Sequence, residues 1–170
     1  MSTTAKPLIQ IKDVVIGIPH KRRPTLIIVN NANFDINYGE MVGIVGESGS
    51  GKTMICRTMI GTLERRGGKI LSGDVVFEGQ SLAKASESDW KKLRGKSMAM
   101  IFQDALAALH PYYTVGNQIA EAYQVHNKVS KGEAKKRAIE MLDRVGIPEP
   151  QKRVDDYPHQ FSGGMRQRAM

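Results

Sequence analysis

The sequence predicts an α/β fold, and three observations support that prediction. Residues 41–45, Met-Val-Gly-Ile-Val, form a short apolar run of the kind expected of a buried parallel strand. A glycine-rich segment, residues 46–53, follows this run directly. Beyond it, apolar residues recur at helical spacing, at positions 54, 55, 59, 60 and 63, and the pair Gly67-Gly68 follows them. The predicted order is therefore strand, glycine-rich loop and helix.

The glycine-rich segment fits the phosphate-binding loop pattern G-x-x-x-x-G-K-[ST] at every position. Its glycines allow a tight turn that brings backbone N–H groups against phosphate oxygens, and the following helix presents its positive end to the same anion. We expect Lys52 to contact the β and γ phosphates and the Thr53 hydroxyl to bind Mg²⁺. The alternative is a glycine-rich turn that binds nothing. The predicted nucleotide-binding residues are Gly46, Glu47, Ser48, Gly49, Ser50, Gly51, Lys52 and Thr53.

Length and composition indicate an ordinary soluble protein. The 170 residues suffice for one domain with a sizeable core, and no apolar run approaches the roughly 20 residues that span a bilayer. The first residues lack the apolar core of a signal peptide, so we expect the protein in the cytoplasm. The net charge of +8 is spread along the chain and aromatic residues are only 6%, which argues against a nucleic-acid-binding face.

Strand patterns surround the glycine-rich segment. Residues 8–18, 26–29 and 34–38 predict three antiparallel strands before it, and residues 74–79 predict another strand after it. Ser88 or Asp89 is expected to cap a short helix. A second buried strand, residues 98–102, is predicted to end on Gln103-Asp104, a polar pair of the kind that faces a ligand in doubly wound folds.

The last third of the sequence is predicted to be helical. One helix is expected over residues 115–126, and a second begins at the capping box of Ser130 and Glu133 and stops at Gly146. Ser162, Gly163 and Gly164 then precede another helix, which predicts a second anion site at a helix start. The domains are accordingly predicted as residues 1–114, a β subdomain with the loop core, residues 115–160, a helical subdomain, and residues 161–170.

Taken in order, these motifs resemble those of ABC transporter ATP-binding subunits. Residues 46–53 resemble the Walker A loop, Gln103 resembles the Q-loop glutamine, and residues 161–165, Phe-Ser-Gly-Gly-Met, resemble the ABC signature. The residues of these motifs are most similar to those of importers of oligopeptides, dipeptides and nickel. The resemblance implies a P-loop NTPase fold, specifically an ABC-type nucleotide-binding domain with an antiparallel β subdomain and a helical subdomain.

The resemblance also implies how the family's residues work. ATP and Mg²⁺ are the implied cofactors, with Lys52 and Gln103 as catalytic residues and Thr53 and Gln103 as Mg²⁺ ligands. Ser162, Gly163 and Gly164 are implied to contact the ATP held by a second ABC ATPase subunit, identical or paralogous. The implied partners are transmembrane permease subunits and, indirectly, an extracytoplasmic solute-binding protein. The implied process is uptake of peptides, nickel or another small solute at the cytoplasmic face of the inner membrane.

Departures from the family pattern leave alternatives open. In the family, the Walker B aspartate, the catalytic glutamate and the switch histidine follow the signature, whereas this sequence ends at Met170. We therefore expect this chain alone to bind nucleotide weakly and not to hydrolyse it efficiently. Asp104 could substitute for a Walker B aspartate, although it precedes the signature. No stacking aromatic for adenine is evident near Ile18 and His20.

Two other functional classes remain as alternatives. One is a short nucleotide-binding or partner-binding module without ATPase activity. The other is a soluble ABC ATPase that acts on nucleic acid or ribosomes, for which insertions or a second cassette would be expected.

Overall fold

The computed structural model describes residues 6–102 and 108–170, and the chain divides into two compact units between Arg94 and Gly95. The first unit contains a sheet and two α-helices. Its elements are β1 (Ile9–Ile18), β2 (Leu26–Ile36), α1 (Lys52–Met59), a 3-10 turn (Glu64–Arg66), β3 (Lys69–Phe77), β4 (Gln80–Ser81) and α2 (Glu87–Leu93). Strands β3 and β4 therefore lie between α1 and α2 along the chain.

The sheet of the first unit has the strand order β2-β1-β3-β4, and every neighbouring pair is antiparallel. Alternation of apolar and polar residues along β1 puts one side of the strand into the core. Ile16 is fully buried, and Ile11 pairs with Val75 of β3 on the buried side. The predicted strand over residues 8–18 is confirmed.

A β-bulge crosses the three longer strands at one level. The register between β1 and β2 shifts between Ile11 and Val14, and the register between β1 and β3 shifts close by. At this level Asp13, Asn31 and Gly73 all have positive φ, of 49°, 55° and 85°. Because each bulge adds one residue, Ile11 and Val14 are both buried although they are three positions apart.

Three strand predictions are wrong. Residues 26–29 and 34–38 were predicted as separate strands, but a single strand, β2, runs from Leu26 to Ile36, because the bulge accommodates the polar residues between them. Residues 41–45 form no strand, and Met41 is 98% exposed. Residues 98–102 likewise form no extended strand, and Ile101 is 79% exposed. A buried parallel strand needs neighbours on both sides, and neither run has such neighbours within the described residues.

The short helix α2 begins two or three residues earlier than predicted. Its N-cap is Ser86 rather than Ser88 or Asp89. The Ser86 hydroxyl accepts a hydrogen bond from the Asp89 N–H, and the Asp89 carboxylate accepts one from the Ser86 N–H, which forms a capping box. The Ser86 hydroxyl also donates a hydrogen bond to the Asp89 carboxylate at 2.6 Å, and this bond, together with the one from the Ser86 N–H, lowers the pKa of Asp89 because both favour its charged form.

The second unit is helical. Its elements are α3 (Val115–Gln124), α4 (Lys131–Arg144), α5 (Pro150–Arg153), a 3-10 turn (Pro158–Gln160) and α6 (Gly163–Ala169). The capping box of Ser130 and Glu133 at the start of α4 is confirmed, as is the stop at Gly146, whose φ is 70°. One buried cluster joins these helices; its members are Val115, Ala138, Leu142, Ile147, Val154 and Phe161.

Candidate functional site

The segment of residues 46–53 forms a loop that passes directly into α1. Gly49 and Gly51 have φ of 83° and 89°, which L side chains rarely adopt, so the loop turns where its glycines lie. Gly51 is the N-cap of α1, and no side chain caps the helix. The first hydrogen bond of the helix joins the Ile55 N–H to the Gly51 carbonyl. The N–H groups of the first turn, which have no intrahelical acceptor, therefore remain for an anion.

Gly51 also lies against β2. A Cβ atom at this position would be 2.7 Å from Cγ2 of Val29 and 3.2 Å from the Ile28 carbonyl oxygen. Glycine is thus required here both for its backbone conformation and for the close approach of the strand. The sheet thereby fixes the position at which the loop becomes a helix.

The side chain of Lys52 folds back over the loop. Its ammonium group donates hydrogen bonds to the carbonyl oxygens of Gly46, at 2.8 Å, and Glu47, at 2.7 Å. The Ser50 hydroxyl oxygen is 3.4 Å away. A positive charge is therefore held beside the N-terminal end of α1, which is itself the positive end of the helix dipole. Both features favour a bound anion such as a phosphate group.

A shallow cavity of about 160 Å³ adjoins this loop. Ile28 of β2 and Met54 of α1 line it together with the loop, and Thr53, in the first turn of α1, is exposed. Ile28 and Met54 are not among the residues predicted for this site. Met54 directly follows the motif, so its place in the chain is a signal for it, whereas nothing in the sequence indicates that Ile28, far ahead of the loop, lies next to it.

The Ser162-Gly163-Gly164 segment lies in the second unit, at the start of α6. Ser162 is the N-cap, and its hydroxyl accepts a hydrogen bond from the Met165 N–H at 3.3 Å. Gly163 and Gly164 are exposed, and a Cβ at either one would meet no atom within 4 Å. Phe161, which precedes them, is 3% exposed. Buried packing thus anchors a segment whose two glycines are open to solvent.

Gln103 and Asp104 are outside the described residues. Within residues 6–102 and 108–170, no three His, Cys, Asp or Glu side chains are grouped as metal ligands would be. None of the helices formed by these residues has both the length and the apolar character needed to cross a bilayer.

Comparison with known proteins identifies the family. The family model described as ABC transporter matches residues 29–170. The chain is 46% identical over 143 residues to the dipeptide transport ATP-binding protein DppD of Lactococcus lactis, covering 84% of this chain and 41% of that protein. It is 43% identical over 163 residues to the oligopeptide transport ATP-binding protein OppD of Bacillus subtilis, covering 96% and 45%. The chain thus spans less than half the length of these relatives.

A solved structure agrees with these relatives. A dimeric, post-hydrolysis structure of the ATP-binding cassette MJ0796 with ADP and Pi is similar to this chain, with a TM-score of 0.77 and 26% identity, over 95% of this chain and 66% of that one. The predicted fold class, an ABC-type nucleotide-binding fold with an antiparallel sheet and a helical part, is confirmed. The resemblance inferred from the motifs is confirmed as well, and this chain belongs to the ABC transporter family.

Proposed function

We propose that this chain is the ATP-binding part of an ABC importer subunit that couples ATP binding and hydrolysis to the uptake of peptides. The observation that supports ATP binding most directly is the loop of residues 46–53, with Lys52 held over it and the N-terminal end of α1 behind it. The peptide class rests on the names of the dipeptide and oligopeptide relatives. The alternative is that the transported solute is nickel or another small solute.

The residues of the loop fit ATP. The triphosphate would take hydrogen bonds from the backbone N–H groups of the loop and charge from Lys52, while Ile28 and Met54 give the adjoining cavity an apolar wall. Mg²⁺ keeps most of its ligands from water and phosphate, so a few protein oxygens suffice. The exposed Thr53 hydroxyl would supply one and Gln103 another. Lys52 and Gln103 are the proposed catalytic residues, since the metal and the lysine neutralise charge that develops on the transferred phosphate.

We further propose that Ser162, Gly163 and Gly164 contact the ATP bound by a second ABC ATPase subunit. Their exposure at a helix start leaves room for the close approach of a phosphate carried by another molecule. In this arrangement the whole protein works with transmembrane permease subunits at the cytoplasmic face of the inner membrane, and a solute-binding protein delivers the solute. The same proposal divides the chain into a β subdomain with the loop core, residues 1–114, a helical subdomain, residues 115–160, and residues 161–170.

ATP binding can be tested by calorimetric titration of the chain with Mg-ATP. Lys52→Ala should weaken binding about 10- to 100-fold, because a charge-assisted hydrogen bond contributes about 1.5–3 kcal/mol. Lys91→Ala removes an exposed lysine of α2 and serves as the matched control, with affinity expected to match the wild type. Equal affinity of both variants would contradict the role of Lys52, and absence of wild-type binding would contradict the proposed function.

Hydrolysis and coupling require the whole protein assembled with its membrane subunits. ATP turnover that is stimulated by peptide and abolished by Gln103→Ala would support the importer role. ATP binding without turnover would favour the alternative, a nucleotide-binding or partner-binding module without ATPase activity.

A further inference from the structure

The carboxyl end of α1, opposite the phosphate-binding loop, is bound by Arg94. The helix ends at Met59 with Ile60 as its C-cap, and Gly61 follows with a φ of 64°. The Nε atom of Arg94 donates a hydrogen bond to the Ile60 carbonyl oxygen at 2.9 Å, and its Nη2 atom donates another to the Gly61 carbonyl oxygen. Carbonyl groups at the carboxyl end of a helix have no intrahelical donor. A cation there also interacts favourably with the negative end of the helix dipole.

The guanidinium group of Arg94 is itself held in place from α2. Glu87 pairs with it through Oε1, 2.8 Å from Nη1, and the side chain of Arg94 is 20% exposed. The ring of Trp90 lies beneath it, with the guanidinium carbon 5.5 Å from the ring centroid. A Cβ at Gly61 would collide with this ring, so the chain after α1 fits closely against α2. Glu87 and Trp90 of α2 thus hold the Arg94 guanidinium group where it contacts the end of α1.

Packing buries α1 only in part. Of its eight residues, Thr58 is the one that is fully buried. The helix is short, about 12 Å at 1.5 Å per residue, so a displacement of its carboxyl end moves its amino end as well. Lys52, at that amino end, makes the bonds to the loop described above. The contact of Gly51 with β2 holds the amino end of α1, and the polar contacts of Arg94 hold its carboxyl end.

We propose that Arg94 is a positioning residue for the phosphate-binding loop: by binding the carboxyl end of α1, it holds the amino end in the geometry that receives the phosphates of ATP. This inference rests on the proposed function, because it assumes that the loop binds nucleotide. Arg94 does not contact the loop itself, and it acts through α1.

The test compares Arg94→Ala, Arg94→Lys and Arg65→Ala in the full 170-residue chain. Arg65 is the matched control, because it also pairs with Glu87, at 3.3 Å, yet its side chain is 70% exposed. Affinity for Mg-ATP is measured by calorimetry, and hydrogen exchange of the α1 amides is measured without nucleotide. Both are measured well below the thermal transition of each variant, so that a loss of global stability alone leaves the affinity unchanged.

Arg94→Ala should weaken Mg-ATP binding about tenfold, which corresponds to about 1.4 kcal/mol, and should speed exchange in α1. Arg65→Ala should stay within about twofold of the wild type, since exposed ion pairs contribute little. Arg94→Lys should fall between them, because one ammonium group cannot reproduce the fork geometry that bonds two carbonyls and Glu87. Wild-type affinity in Arg94→Ala would overturn the proposal, even if that variant melts at a lower temperature.

If Arg94→Ala does not fold, Arg94→Lys and Glu87→Gln decide the question. Glu87→Gln frees the guanidinium group from its charged partner while the two carbonyl bonds can still form, and about a twofold to threefold loss of affinity is expected. Wild-type affinity in both variants would overturn the proposal. If the wild-type chain binds no ATP, the proposed function is wrong, and unchanged exchange of α1 in the Arg94 variants would then reject the positioning role separately.

Discussion

Replacement of Gly51 by alanine should destabilise the first unit through two separable effects. The φ of 89° costs an L residue about 1–2 kcal/mol. The added Cβ would also lie 2.7 Å from Cγ2 of Val29, which is 7% exposed and has little room to move, and overpacking of this kind costs about 1–3 kcal/mol. The expected sum is about 2–5 kcal/mol, a large fraction of the stability of an ordinary domain.

Gly49→Ala is the matched control for this substitution. Gly49 has a similar φ, 83°, but a Cβ there would meet no atom within 4 Å. The control should therefore show only the backbone cost of about 1–2 kcal/mol. The difference between the two variants isolates the contact with β2.

The assay is urea unfolding without nucleotide, followed by tryptophan fluorescence. The chain has a single tryptophan, Trp90, and it lies in the first unit, so the signal reports on that unit. The midpoint should fall for both variants, and further for Gly51→Ala, with an unchanged slope. Equal destabilisation by the two substitutions would refute the reasoning, because it would mean that the contact with Val29 has no energetic consequence.

Three further predictions concern the second unit and can be measured by urea unfolding followed by circular dichroism. Leu142→Ala should cost about 2–5 kcal/mol, because the side chain is fully buried in the helical cluster; a smaller loss would mean that the cluster collapses around the gap. Glu149→Asn should stabilise by about 1 kcal/mol, since Glu149 has a φ of 49° at the N-cap of α5 and asparagine tolerates that conformation; destabilisation would contradict this.

The third of these predictions concerns pH, and it begins from the hydrogen bonds of Ser130, which lower the pKa of Glu133. A lowered pKa in the folded state adds stability above the unfolded value of about 4.3, and this stability is lost as the pH falls through the folded value. Glu133→Gln keeps the capping box but removes the titrating carboxylate, so its free energy of unfolding should fall less steeply below about pH 4.5 than that of the wild type. A slope equal to that of the wild type would contradict the prediction.

Features set by a few neighbouring residues could be predicted from the sequence. The capping box that starts α4 and the glycine that follows it depend on contacts three or four positions apart, and both are confirmed. The loop of residues 46–53 belongs to the same class, because its turn and the helix after it are local. In these cases the residue types themselves determine the backbone conformation.

Features that depend on distant partners could not be predicted. The apolar run of residues 41–45 indicates a preference for burial, but it does not say which strand would pair with it. The same limit applies to the candidate site: Ile28 adjoins the loop of residues 46–53 only because β2 passes Gly51. Arg94 reaches the end of α1 only because α2 brings it there. None of these contacts has a local sequence signal.

The bulge level at Asp13, Asn31 and Gly73 determines where this sheet can change length during evolution. One residue removed from β1 at this level would leave Ile11 and Val14 two positions apart, so regular alternation would still bury both, but β1 would no longer match the register of its two neighbours. The two neighbouring strands have their own extra residues at the same level, so a deletion in one strand would require matching deletions in the other two. Single insertions and deletions among homologues should therefore be confined to the turns that connect the strands.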